Sequence, residues 1–196
     1  ENQRIIFNGN GYAQAWVEEA ERRGLPNIKS MIEAVDTLTT EKSVNLFEKF
    51  GIFTKTELES RAEVLYETYA KTINIEALTM IDMASKQYVP AIVKYTKSLA
   101  DTVVAVKDAG ADAQVQTEIL KAVNGKLGEV KSALAKLEEA EAKAAAMDNV
   151  KDQAFFYKDV VKTAMDELRA PVDEVEMMVD KKAWPVPSYA DLMFEV

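Results

Sequence analysis

Apolar positions along this chain recur at helical steps over most of its length. Val89, Ile92, Thr96, Leu99, Val103 and Val106 alternate spacings of three and four. Leu120, Val123, Leu127, Val130, Leu134 and Leu137 do the same. A third run follows through Val150, Ala154, Tyr157, Val161, Ala164, Leu168, Pro171, Val175 and Met178. A 3.5-residue period is the signature of seams that pack against one another as in coiled coils. Gly110 separates the first two runs and Asp148 lies between the last two, so the connections are short. Short connections make neighbouring helices antiparallel. Residues from 88 to 182 thus read as an antiparallel three-helix bundle. Its middle helix, about 35 residues, would run about 50 Å at the helical rise.

The chain before this bundle reads differently. Tyr12 to Arg23 is a helix candidate with Gly24 beyond its end. Ser30 with Glu33, and Thr54 with Glu57, have capping-box spacing, in which each side chain satisfies an orphan backbone N–H at a helix start. A helix from Glu41 to Phe50 carries Val44, Phe47 and Phe50, and Gly51 is suited to close it. From Thr54 the pattern is helical to about Lys86, and Pro90 predicts a kink or restart there. Within that helix, Ile73, Ala77, Met80, Ile81 and Ala84 form one stripe, while Ile75 and Leu78 fall off it. A helix apolar on two sides suits a piece wedged between two bodies. Ile75 and Leu78 are therefore expected to be uncovered in this chain, or hidden by a dimer contact. The fold class predicted is all-α: short N-terminal helices, then a kinked long helix leading into a long antiparallel three-helix bundle. Three segments are expected, at 1–55, 56–182 and 183–196. The last, AWPVPSYADLMFEV, crowds Trp184, Tyr189, Leu192, Met193 and Phe194 around two prolines and must dock on its own bundle or on a neighbouring body.

Composition narrows the chemistry. Hydrophobic residues make up 48% but aromatic ones only 8%, which favours helix packing over an aromatic-filled sheet sandwich. The net charge of −9 disfavours nucleic acid and anionic lipid as partners. No apolar run approaches the roughly 20 residues of a spanning helix. There is no Cys and no His, which removes thiolate nucleophiles, Cys–zinc sites, His-based acid–base chemistry and Ser–His–Asp systems. A chain without disulfides fits the cytoplasm. GNG at Gly9–Gly11 reads as a turn, without the rest of a phosphate loop. The first residue is not Met, so a larger protein with residues before Glu1 is expected.

The remaining candidates are charged. Glu76 and Asp82 lie on the two-sided helix. If sandwiched they need partners, with Lys71, Lys86 or a group outside the chain as the choices. The main expectation is a paired carboxylate fixing helix register, and a ligand-sensing role is the lesser one. Glu138, Glu139 and Glu141, like Asp173, Glu174 and Glu176, read as solvated faces, with Mg²⁺ the alternative at the second group. Arg22 and Arg23 read as exposed salt-bridging groups. Gly125 and Gly128, inside the middle helix, read as sites of close helix–helix approach, with a hinge as the alternative. Pro171 is expected to bend the third helix.

Irregular phrases add what periodicity does not. RIIFNGNGY, WVEEAERRGLPNIKS, the stretch from EKSVNLFEKFG to YVPAIVKY with TINIEALTMIDMA inside it, and the closing WPVPSYADLMFEV resemble the region following the catalytic core in type III glutamine synthetases. The resemblance is dense over roughly the first 95 residues and clear over about the last 15. It implies a parent enzyme that makes glutamine from glutamate, ammonia and ATP with Mg²⁺ or Mn²⁺. It also implies assembly into two hexameric rings, with this region contacting its own catalytic core and neighbouring subunits. The family's metal- and nucleotide-binding phrases are absent here, so no catalytic, cofactor-binding or metal residue is carried over. A non-catalytic region supporting subunit packing or regulation is expected. A free-standing helical interaction module, presenting apolar residues near Gly110 or Met147, is the alternative. A carboxylate-only enzyme centred on Glu76 or Asp82 is the distant third.

Overall fold

The computed structural model describes residues 3–187 and 189–194, with all of their side chains except those at 189 and 190. Among the described residues the fold is all-α, as the pattern predicts. It divides into two compact units, residues 1–66 and 67–196.

The first unit contains α1 (Gln14–Arg22), α2 (Met31–Asp36), α3 (Glu41–Lys49) and the start of α4 (Lys55–Met83). Capping chemistry sets its boundaries. The Ser30 hydroxyl accepts from the Glu33 N–H at 3.3 Å. Thr54 accepts likewise from Glu57, whose carboxylate accepts in return from the Thr54 N–H at 2.7 Å, completing the box. Gly24 and Gly51 follow α1 and α3 with φ of 69° and 64°, the left-handed geometry that glycine adopts without a Cβ penalty. Leu25 N–H and Ile52 N–H then donate back to the carbonyls of Ala20 and Phe47. Ile32, Val35, Leu58, Ala62 and Tyr66 form the small core.

The second unit is the bundle. α4 continues through a π-helical turn at Ala84–Tyr88 into α5 (Val89–Asp108). α6 (Gln114–Ala145) returns, and α7 (Val150–Phe156) leads through a second π-helical turn, Tyr157–Val161, into α8 (Lys162–Glu176). Gly110, φ 76°, closes α5, and the Ala111 N–H donates to Val106 O. Asp112 Oδ1 accepts from the Gln114 N–H, and Asn149 Oδ1 from the Asp152 N–H. Lys126 pairs with Glu174 and Lys136 with Glu167, so α6 and α8 run antiparallel. Every seam residue named from the pattern is buried or half-buried. Ile92, Val123, Val130, Leu134, Leu137, Val161 and Val175 are wholly enclosed. Such side chains each contribute about 1.5–3 kcal/mol of burial.

Pro90 does not break the helix. It cannot donate to the Lys86 carbonyl, and its ring would clash with that group in a regular turn. The widened turn just before it absorbs the mismatch. The Ser85 hydroxyl donates to Ile81 O at 2.6 Å, satisfying a carbonyl in the same region. The first long helix of the bundle therefore begins well before Pro90, with Ala70, Ile73, Ala77 and Ala84 buried on it. The second π-helical turn has no proline to announce it. α8 runs on through buried Pro171.

The glycines of α6 correct the sequence reading. A Cβ built on Gly125 or Gly128 meets nothing within 4 Å. Both lie on the exposed face of α6, which is continuous through them, so neither marks a close helix–helix approach within this chain.

Candidate functional site

The two-sided helix resolves as one buried seam and one open face. Ala70, Ile73 and Ala77 are 2%, 8% and 0% exposed, whereas Ile75 is 67% and Leu78 48% exposed. The uncovered apolar positions expected from the sequence are therefore present. Thr72 and Thr79 lie on the same open side, and their hydroxyls donate to the i−4 carbonyls of Thr68 and Ile75 at 2.9 and 2.7 Å. Glu76 is exposed and needs no partner. Asp82 pairs with Lys86, one of the partners the sequence offered, while Lys71 pairs instead with Glu67. All four of these charges are more than half exposed, so neither pair fixes a buried register.

On the opposite side of α4, two polar side chains enter the interior. Tyr157, at the start of the second π-helical turn, is 1% exposed and lies beside Asn74 of α4 and Glu141 of α6. Burial raises its phenol pKa first, with the Glu141 charge adding to this and the Asn74 amide opposing it. The Tyr157 hydroxyl and Asn74 Oδ1 are both enclosed without a well-formed hydrogen bond. The nearby Tyr69 is raised as well, by burial, with Lys158 opposing and Asp159 and Glu76 reinforcing the shift.

The tail docks in part on its own bundle. Trp184 stacks on Tyr88 with ring centroids 5.2 Å apart, and its indole Nε1 is buried without a hydrogen-bond partner. Between the tail and α8 lies a cavity of about 760 Å³, lined by Arg169, Asp173, Glu176, Lys181, Trp184 and Leu192 among others. Four of its charges sit in two pairs, Arg169 with Asp173 and Lys181 with Asp191. Beyond it, α9 (Tyr189–Phe194) leaves Leu192, Met193 and Phe194 exposed. The Tyr189 side chain and positions 188, 195 and 196 of the tail phrase lie outside the described residues.

The carboxylate groups singled out in the sequence are dispersed. Glu139 pairs with Lys143, Asp173 with Arg169 and Glu174 with Lys126, while Glu176 lines the tail cavity. Glu138 is exposed and Glu141 half-buried. Among the described residues no three His, Cys, Asp or Glu side chains converge as a metal ion would require. No helix among them is long and apolar enough to cross a membrane.

In the first unit, Arg22 and Arg23 share one carboxylate. Both donate to Glu19 at 2.6 Å, and these bonds, Arg22's first, pull the Glu19 pKa down to about 2. Arg22 is exposed as expected, but Arg23 is only 22% exposed. Its guanidinium also donates to Arg4 O and Ile6 O and lies over the Trp16 ring, which in turn stacks on Phe7. That role, fastening the N-terminal segment to α1, had no spacing signal in the sequence. Elsewhere the Tyr66 hydroxyl donates to Asp36 at 3.2 Å, and burial, with the Asp36 charge second, pushes its pKa up to about 12.

Known proteins place these surfaces in a family. Residues 1–107 match the glutamine synthetase C-terminal domain. A glutamine synthetase of Butyrivibrio fibrisolvens is 38% identical over 197 residues, covering 100% of this chain and 28% of that protein. A glutamine synthetase of Bacteroides fragilis (strain YCH46) is 31% identical, covering 97% of this chain and 27% of that protein. A type-3 glutamine synthetase of Dictyostelium discoideum is 35% identical with the same coverage. The chain thus spans little more than a quarter of the length of the curated relatives it matches. With the matched region taking in the first unit, α4 and nearly all of α5, the chain belongs to the glutamine synthetase family, in its C-terminal domain.

Proposed function

We propose that this chain serves as the non-catalytic helical C-terminal region of a glutamine synthetase. The parent protein would ligate ammonia to glutamate using ATP with Mg²⁺ or Mn²⁺, in the cytoplasm, as a dodecamer of two hexameric rings. No catalytic, cofactor-binding or metal-binding residue is assigned to this chain. Residues 1–55 would continue from the catalytic core, 56–182 would form the helical body, and 183–196 would be a docking tail. The observation that carries this reading is the alignment of at least 97% of the chain with only 27–28% of relatives named glutamine synthetase. The exposed Leu192, Met193 and Phe194 support a tail that seats on a neighbouring body. A second reading, a helical interaction module, draws on Val104, Val115 and Ile119, which are exposed near the turn joining α5 to α6.

The test compares three proteins: full-length, full-length lacking residues 67–196, and residues 1–196 alone. Expected are glutamine and ADP formation by the full-length protein, none by residues 1–196, and fewer subunits per particle for the truncated protein. Turnover by residues 1–196 alone would overturn the non-catalytic assignment. A full-length protein that assembles but does not form glutamine would move the interaction module to first place.

A further inference from the structure

We infer that the open face of α4, built from Thr72, Ile75, Leu78 and Thr79, is a docking surface for the part of the same polypeptide that lies outside residues 1–196. The inference rests on the synthetase reading above, because it takes the parent protein to be as long as its relatives.

Three observations carry it. The first is the pattern. Thr68, Thr72, Ile75 and Thr79 are spaced four, three and four, the spacing of a packing seam, on the side of α4 away from the buried seam of Ala70, Ile73 and Ala77. One helix thus carries its buried seam and, on the other side, a threonine-rich stripe at seam spacing that the bundle leaves open.

The second is the chemistry of the threonines. The hydroxyls of Thr72 and Thr79 are satisfied by their own helix, at 2.9 and 2.7 Å. Covering this face would strand neither donor, since what each offers a partner is chiefly a methyl group. The charges beside it, the local pairs Glu67–Lys71 and Asp82–Lys86 and the exposed Glu76, are able to stay wet at the rim.

The third is size, which selects the occupant. From residue 68 to 79 the stripe is about 16 Å long, and at about 10 Å wide it offers roughly 160 Å². A stable association of separate molecules buries about 800 Å² per partner. A second copy could not be held by this face alone. A covalently connected segment needs no such area, because its effective concentration is on the order of millimolar. The chain spans 28% of the length of one relative, which leaves a large connected body to supply that segment.

The test places a benzophenone amino acid at position 75, and separately at 78, in the full-length protein. Particles are mixed from isotopically heavy and light subunits, irradiated and digested. The expected dominant product joins α4 to a peptide outside residues 1–196 of the same isotopic label. Products joining α4 to residues 1–196 of an oppositely labelled subunit would assign the face to a second copy and overturn the inference. An absence of crosslinks at both positions would show the face open to water and overturn it too. Glutamine formation by the unlabelled full-length protein reports separately on the synthetase reading. Same-label crosslinks without turnover would sink that reading and leave the surface standing, and turnover without such crosslinks would do the reverse.

Discussion

Replacing Gly125 and Gly128 with alanine separates two physical accounts of α6. If the glycines exist so that a neighbouring helix can approach, each added methyl overpacks the contact and costs about 1–3 kcal/mol. The structure instead leaves the Cβ positions empty out to 4 Å at both sites, on the exposed face of a continuous helix. Neither glycine has positive φ, so alanine adopts the existing backbone. The remaining effect is helix propensity: glycine is about 0.8–1 kcal/mol worse than alanine in a helix interior. Part of that comes from restricting the unfolded chain. The double variant of residues 1–196 should gain close to 2 kcal/mol. For a chain of this size that corresponds to a rise in Tm of about 4–8 °C. Urea denaturation followed by far-UV circular dichroism should give a higher midpoint with an unchanged slope. Loss of stability in either single variant would refute the reasoning, because it would mean that another backbone or side chain lies against α6.

Leu134→Ala, at a wholly enclosed position on α6, should destabilise the chain by about 2–5 kcal/mol in the same urea experiment. Glu19 has its pKa lowered to about 2 by Arg22 and Arg23. A lowered carboxylate pKa means that its stabilisation is complete above about 4.5 and lost as pH falls toward 2. Carboxyl NMR should find Glu19 titrating near pH 2, and Glu19→Gln should remove that step. Tyr66 shifts the other way, to about 12, so its contribution is complete below about 10 and lost as pH rises through 12. Tyrosinate absorbance should show one late-titrating phenol that disappears in Tyr66→Phe. The same substitution should cost about 1 kcal/mol at neutral pH through loss of the hydrogen bond to Asp36.

Local chemistry wrote much of this fold into the sequence. The three seams follow because a 3.5-residue spacing keeps one stripe facing its neighbours, whatever those neighbours are. Gly24, Gly51 and Gly110 mark helix ends because a left-handed residue closes the last turn at little cost only where there is no Cβ. Ser30 and Thr54 mark starts through bonds that span three residues. The exposure of Ile75 and Leu78 was legible because a helix with apolar residues on both sides cannot bury both in one small bundle.

What only the tertiary structure decided depends on groups distant in the chain. Pro90 forbids one hydrogen bond, but whether the helix breaks or widens is set by the packing of Ala84 and Ile92 on either side of it. The π-helical turn at Tyr157–Val161 contains no breaker, so sequence had no means to place it. Arg23 reaches the carbonyls of Arg4 and Ile6 only because the N-terminal segment folds back over α1. The empty surroundings of Gly125 and Gly128 are a property of what does not lie beside α6. Periodicity reports the direction in which a residue faces, and only the assembled neighbours determine whether anything is there to meet it.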